Sequence, residues 1–542
     1  MRLRVWFAMA GVVIGAGLLA VGGFGGPVHK RGGTLRISGG RDLDSVDPAL
    51  GYNTSSWTIE FATCAKLYNY PDKPAPAGAI AVPELAKGFP TVSKHGKVQT
   101  IRLKHTFRFN TGKPVTAVNF VAAFNRDANP KLQSPAVNYL HEIVGADAVI
   151  NGRAQTISGV RARGRYTLQI RTTQPLPDLA ARLTMPFFCP IAVNTPLKEI
   201  DNPLGSGPYY IASRVPNRKT VLKRNRFYRG SRPANVDQMI YTINGDEACR
   251  VAVEQNAMDY CFTIPPADYP ALAARYGINR KGGRFFAHPT LGFDYFAFNH
   301  DRPAFNGRGQ IPLKQAINWA IDRRALVRAA GSLSGQRTDQ ILPPALARNA
   351  SIYALGGVNA RSLAKARVLL KRAKIKPKTL VLYTDNFGYG PSWAQIFQLN
   401  LRRLGIEVVI KVFPRSTYFR LTGTRGAPFD VAVGGGWILD YADAVAIFGP
   451  MLDGHNLTGS GNTNIAYFDR PKYNREIERI ARLSGKARRK AWADLDVKMM
   501  RDDPPWAPVV DLTAKDFISK TFGCYNFQPV IATPDLAAAC KK

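Results

Sequence analysis

The chain has 542 residues, 45% hydrophobic and 21% charged, which are globular values over a length too great for one simple core. Its 74 Lys and Arg against 38 Asp and Glu give a formal net charge of +36. The basic residues are spread through stretches such as 214–232, 361–378 and 470–501 rather than gathered in a tail. That points to a solvated basic surface in an anionic environment, such as lipid headgroups or wall polymers. Nucleic acid is the rival partner, but no helix-turn-helix, zinc-finger spacing or aromatic RNP pattern supports it.

Met1-Arg2-Leu3-Arg4 is basic, and residues 5–28 carry no charge. This reads as an export signal with a cleavage point near Ala20 and Gly22, or as a retained membrane anchor, since the run is long enough to span a bilayer. The first cysteine is Cys64, so no lipid-modified cysteine follows the run. Cys64, Cys189, Cys249, Cys261, Cys524 and Cys540 are an even set in an exported chain and predict disulfides. Short loops favour Cys249–Cys261 and Cys524–Cys540, which leaves Cys64–Cys189; six buried thiols are the alternative.

After the signal, residues 34–37 read as a strand and 44–48 as a turn. Residues 55–67 read as a helix, with Trp57 and Phe61 on its apolar face. Residues 71–83 are an irregular Pro- and Ala-rich connection. Alternation over 100–109 predicts paired strands, and Thr116 is a candidate N-cap for a helix carrying Phe120 and Phe124. Two strands are expected within 157–172 with Gly164 at their turn, and two more at 209–212 and 220–223. From residue 293 the character changes. A strand at 295–299, a helix through Ala316 and Ile321, a helix through Leu363 and Leu370, and a strand at 380–383 follow. Next come a helix ending at Gly405 and a strand at 406–413. The alternation implies a parallel α/β sheet. A helix through Trp492 and Met499 stops before Pro504.

The stretch that draws attention is FDVAVGGGWILDYAD, residues 429–443. A short alternating strand is followed by Gly434, Gly435 and Gly436, then Trp437, Asp440 and Asp443. Ligands of α/β folds sit beyond the carboxyl ends of strands, so this segment offers a flat ring, open backbone and negative charge where a ligand is expected. The plain alternative is a loop with a buried Trp and two solvated Asp. Catalytic signatures are missing: no G-x-S-x-G, H-E-x-x-H, P-loop or G-x-G-x-x-G occurs, and the seven His are dispersed. Asp440 and Asp443 as a hydrolase acid/base pair have no other support. A binder is the better reading than an enzyme.

Several segments together resemble one family, the solute-binding proteins of peptide/nickel-type ABC importers (extracellular solute-binding family 5). They are GGTLRISGGRDLDSVDPAL (32–50), VPELAKGF (82–89), TIRLKHTFRFNTGKPVTAVNF (100–120), NPLGSGPYYI (202–211), LKRNRFYRG (222–230), MDYCF (258–262), YFAFNHDRPAF (295–305) and AINWAIDRRALV (316–327). Val118-Asn119-Phe120 departs from the family's acidic residues, and Ala257-Met258 replaces its Gly-Glu. The resemblance implies a two-lobed periplasmic-binding-protein-like α/β fold (type II, cluster C) with an extra subdomain on the first lobe. The expected division is signal or anchor 1–28, first lobe 29–78, subdomain 79–203, first lobe again 204–292, second lobe 293–507 and a first-lobe return 508–542.

The resemblance also implies a ligand trapped by lobe closure about a hinge. Trp437 and Asp440 match the Trp-x-x-Asp segment whose aspartate binds a peptide's α-ammonium, and Gly436 to Ile438 match backbone that pairs with the peptide as an added strand. Tyr52, Asn53 and Trp57 would face the ligand from the other lobe, with core packing the alternative for Trp57. The expected partners are a short peptide and ABC permease subunits, with no nucleic acid, no cofactor and no metal, and the protein is expected to be an exported monomer. The alternatives are a non-peptide ligand on the same scaffold (haem, a metal chelate, an oligosaccharide) or a basic wall-associated binding protein.

Overall fold

The computed structural model of the protein describes residues 31–40, 42–346 and 362–542. The apolar run read as an export signal or anchor lies outside them. One large mixed sheet organises the chain. From one edge inward run Glu407–Phe413, Thr379–Asp385, Val431–Val433, Phe285–Phe298 and Trp506–Ile518. Tyr260–Cys261, Thr34–Gly39, Gln238–Ile243, Lys219–Arg224 and Tyr209–Val215 continue it to the other edge.

At the first end, Thr379–Asp385 pairs in parallel with both Glu407–Phe413 and Val431–Val433. Parallel neighbours need crossovers, which the helices Gly390–Arg402 and Arg415–Thr422 supply. Leu380, Leu382, Val408 and Val431 bury against Trp393 and Phe397 of the first of these helices. This is the strand–helix alternation the sequence implies. At the other end, Thr34–Gly39 pairs in parallel with Gln238–Ile243 and Tyr260–Cys261, and the hairpin strands Tyr209–Val215 and Lys219–Arg224 close the edge in antiparallel fashion. Leu35, Ile37, Leu222 and Met239 form the core there.

Two long strands join the ends. Phe285–Phe298 and Trp506–Ile518 are antiparallel partners, with residues 285–289 laddered to 513–517 and 293–297 to 506–511. The ladder lapses over 290–292. Tyr260–Cys261 binds the return strand on one side of the lapse, at Phe517 and Ile518, and Val431–Val433 binds the outgoing strand on the other, at Phe296–Phe298.

A separate antiparallel sheet orders Thr91–Ser93, Val98–Arg102, Thr167–Arg171 and Val160–Ala162. The helix Ala117–Asp127 packs on it, and Phe120 and Phe124 are buried there. Its start is the expected one: Thr116 and Asn119 form a reciprocal capping box. Gly164 takes φ +89° at the turn between the last two strands.

Two expectations need correction. The first helix is Thr54–Thr63 and does not reach residue 67, because Cys64 is extended and bound in a disulfide. Residues 103–109 are not a strand: past Arg102 the chain is held by single bridges at Leu103 and Arg108, and Phe107 and Phe109 instead point into the core. The two disulfides favoured by loop length form, Cys249–Cys261 and Cys524–Cys540, and so does the pair they leave over, Cys64–Cys189. No free cysteine occurs among the described residues.

Candidate functional site

The glycine run after Val431–Val433 is dictated by crowding and then by handedness. A Cβ on Gly434 would meet the Tyr295 ring at 2.7 Å and Asp294 Oδ1 at 2.9 Å. Gly435 and Gly436 take φ of +77° and +76°, a region side chains disfavour. The turn sends the chain back so that Trp437–Ile438 pairs with Gly292–Phe293. One edge of the Gly436–Ile438 backbone is therefore occupied by the protein's own strand. The half-buried Trp437 has a buried indole N–H with no hydrogen-bond partner.

Asp440 follows and is only 6% exposed. Tyr139 donates its hydroxyl to Asp440 Oδ2 at 2.5 Å, and Tyr52 adds a second hydroxyl, 3.2 Å from that of Tyr139. Burial pushes the Asp440 carboxyl up to about 6, against the pull of those two hydroxyls. No Lys, Arg or His pairs with it among the described residues. Asp443, by contrast, is committed to Arg488 at 2.7 Å. The residues between are equally engaged: Tyr441 donates to Asp178 at 2.9 Å, and the Ala442 amide donates to the Tyr70 hydroxyl at 2.9 Å. Residues 440–442 are thus clamped onto groups contributed by residues 52–178. The picture of two solvated carboxylates is replaced by one paired and one charge-orphaned group.

The other sequence candidates lie close by with different duties. Tyr52 packs on Trp57 and Phe187. Trp57 is buried and gives its indole N–H to the Gly51 carbonyl at 2.8 Å, so its polar end is spent inside the fold. Asn53 is the residue preceding the helix Thr54–Thr63, with its amide bound to Asp44 and no side-chain cap.

Beyond the strand ends lies a cavity of about 440 Å³. Gly39 and Gly40 end the first strand, Thr54 and Ser55 begin the first helix, Lys515 comes from the return strand, and Phe387 reaches in from the loop after Thr379–Asp385. Phe387 also lines a smaller cavity of about 90 Å³ with Asp294, Tyr389, Arg415 and Gly435. The crevice outside the carboxyl ends of strands is where α/β sheets take ligands. Asp440 lines neither cavity; it stands where residues 440–442 meet groups contributed by residues 52–178. Tyr139, Phe387, Arg415 and Lys515 carry no signal in the local sequence. They join the site only through the topology.

A family model for the bacterial extracellular solute-binding proteins, family 5 Middle, matches residues 81–459. The chain is 23% identical over 431 residues to the periplasmic oligopeptide-binding protein OppA of Haemophilus influenzae, covering 75% of this chain and 76% of that protein. It is 22% identical over 429 residues to the probable deoxycholate-binding periplasmic protein YgiS of Escherichia coli, covering 76% and 77%. In three dimensions it superposes on clavulanic acid biosynthesis oligopeptide binding protein 2 with a TM-score of 0.85 at 23% identity, covering 94% of this chain and 96% of that one.

The fold is therefore the expected two-lobed α/β architecture. The matched family is one of solute-binding proteins and not of enzymes, and the curated relatives are periplasmic. Among the described residues, no helix is long and apolar enough to cross a membrane. The matched region takes in the glycine turn, Tyr139 and Asp440, and on that match the chain belongs to the bacterial extracellular solute-binding proteins of family 5.

Proposed function

We propose that the protein is the extracytoplasmic receptor of an ABC importer, which captures short peptides between its lobes and hands them to a membrane permease. The observation that carries the reading is Asp440: a buried carboxylate at the contact between lobes, held by neutral hydroxyls and left without a counter-charge. A peptide's α-ammonium is the cation that completes it, by a charge-assisted hydrogen bond that the Tyr139 and Tyr52 hydroxyls make way for or join. The oligopeptide-binding relatives support the same substrate class. Tyr52 reaches Asp440 with its hydroxyl, and in this reading Trp437, with its unpartnered indole N–H, the backbone of Gly436 and Ile438, and Asn53 join it along the peptide's path. The lobe limits near residues 293 and 507 are supported by the two long strands that carry the chain across. Export, monomeric state and the permease partner belong to this reading.

A second reading, a non-peptide solute on the same scaffold, is favoured by one observation: the larger cavity is distinct from Asp440, and a relative named as a probable deoxycholate-binding protein is 22% identical over 429 residues. Mass spectrometry of gently denatured protein, looking for co-purified molecules, separates the two. Peptides that bind the wild type and lose about 2 kcal/mol with Asp440→Asn support capture through the ammonium. Unchanged peptide affinity in that variant removes Asp440 from the site, and a co-purified non-peptide solute replaces the first reading with the second.

A further inference from the structure

The separate four-stranded sheet lies under the helix Ala117–Asp127 on one face and is open on the other. Burial alternates to match. Gln99, Ile101, Leu168 and Ile170 are covered, so Thr100, Arg102, Gln169 and Arg171 belong to the open face. The register sets the charges of that face in three successive rows. Arg102 pairs with Thr167, and Arg163 donates its amide to the Thr167 carbonyl from the other flank at 2.8 Å. Thr100, Gln169 and Arg161 make the next row, and Val98 with Arg171 the third. Rows on one face stand about 7 Å apart. Four arginines are thus spread in two dimensions over a pleated surface.

No acid answers them. Residues 85–177 hold fourteen Lys and Arg against three acids, Asp127, Glu142 and Asp147. Asp127 is buried, Glu142 is bound to Arg182 at 2.9 Å, and Asp147 is bound to His141 at 2.6 Å. Among the described residues, no ion pair reaches Arg102, Arg161, Arg163 or Arg171. A second, independent observation is that two of these cations are drawn together. Arg161 Nε and Arg171 Nη2 donate to the same Ser158 carbonyl, at 3.0 and 3.3 Å. Arg171 Nε is buried with no hydrogen-bond partner, and Arg163 spends one donor on Gln169 Oε1 at 3.2 Å. A guanidinium has five N–H donors, so most of each fork is unspent. Like charges converging on one oxygen repel, and an anionic surface laid over them removes that cost.

We propose that this open face docks on an anionic phospholipid bilayer, with Arg102, Arg161, Arg163 and Arg171 on the phosphate groups of the leaflet. The guanidinium fork matches phosphate oxygens in pairs. A single polyanionic strand calls for a file of cations, whereas a two-dimensional array fits a plane of headgroups. The rim suits lipid as well: Val92 on the edge strand Thr91–Ser93 is 55% exposed, and Phe89 just before it is 59% exposed. The inference is independent of which solute the protein captures.

Co-sedimentation of the full chain with vesicles of phosphatidylcholine, and of an equal mixture with phosphatidylglycerol, tests this. The wild type is expected to prefer the mixed vesicles. Arg102→Gln, Arg161→Gln and Arg163→Gln combined, all at exposed positions, are expected to weaken binding to them about a hundredfold and to leave binding to phosphatidylcholine unchanged. The control combines Lys371→Gln, Arg372→Gln and Lys374→Gln, which removes the same charge from exposed residues at the end of the helix Leu363–Arg372. It is expected to cost less than about threefold. Equal losses in the two variants mean that binding follows net charge, and overturn the sheet face as the site. Equal binding of the wild type to both vesicle types overturns it too, because the apolar run at 5–28 would bind both alike. Tighter binding to soluble poly(glycerol phosphate) than to the mixed vesicles overturns the bilayer as the occupant. Should the triple variant fail to fold, Arg102→Gln alone, expected to weaken binding about fivefold, keeps the test decisive.

Discussion

Replacing Asp440 by Asn separates what its charge does to the fold from what it does for a ligand. The carboxyl is buried and has no cationic partner, and its folded pKa is about 6 against an ordinary 3.8. A raised folded pKa favours the protonated native form. Its contribution to stability is fully present below about pH 4, is lost as pH rises through about 6, and is gone at neutral pH. At about 1.4 kcal/mol per unit, the charged form disfavours the ligand-free fold by about 3 kcal/mol at pH 7.5 and by about 1 kcal/mol at pH 4.5. Asn keeps an acceptor for the Tyr139 hydroxyl and has no charge to desolvate. The ligand-free variant should gain on the wild type by about 2 kcal/mol between pH 4.5 and pH 7.5. Urea denaturation followed by tryptophan fluorescence at the two pH values reads that gap. Asp294 and Asp516, each also raised to about 6, titrate in both proteins and cancel in the comparison. A gap that stays constant, or that widens toward acid, would mean the carboxylate is compensated in the folded state, and the argument for a missing counter-charge would be refuted.

Removing Arg488 should be severe, since it leaves Asp443 buried beside Asp178 without its partner; Arg488→Met is expected to lose about 3–5 kcal/mol, and adding Asp443→Asn should recover a large part, both measured by urea denaturation. The disulfides should rank by the loop they close. Replacing both cysteines of the Cys64–Cys189 pair, separated by 125 residues, should remove about 5 kcal/mol, against about 3 kcal/mol for Cys249–Cys261, separated by 12; equal losses would sink the chain-entropy account. Gly434→Ala should destabilise by about 1–3 kcal/mol and displace Tyr295, with near-ultraviolet circular dichroism reporting the ring.

What could be read from the sequence was local or short in range. The capping box at Thr116 and Asn119, the turn at Gly164 and the strand–helix alternation from 379 to 433 are fixed by neighbouring residues, and each stands in the structure as expected. The disulfide pairing followed because loop closure penalises distance, so the short loops claimed their partners and left the long one. The strand at 295–299 was found at one end only. Phe285–Phe298 is longer because its first half is paired by residues more than 200 positions away, and no alternation in FFAHPTLGF announces that. The same limit applies at the site. Asp440 and Trp437 stand out in a glycine-rich context, whereas Tyr139 lies 301 positions from the carboxylate it covers. Lys515 is one of 74 basic residues, and only the sheet shows that it stands at a cavity wall beside Asp516.

The lapse in pairing over residues 290–292 falls between the two ends of the great sheet, with intact ladders on either side. Two strands bonded to each other resist sliding, because slippage would break a whole row of bonds together, while the three residues between are tied by fewer bonds: the pairing with Trp437–Ile438, the Leu439 amide on the Leu291 carbonyl and the Thr290 hydroxyl on the Leu512 carbonyl. The relative register of the two ends of the sheet is thereby written into the chain itself.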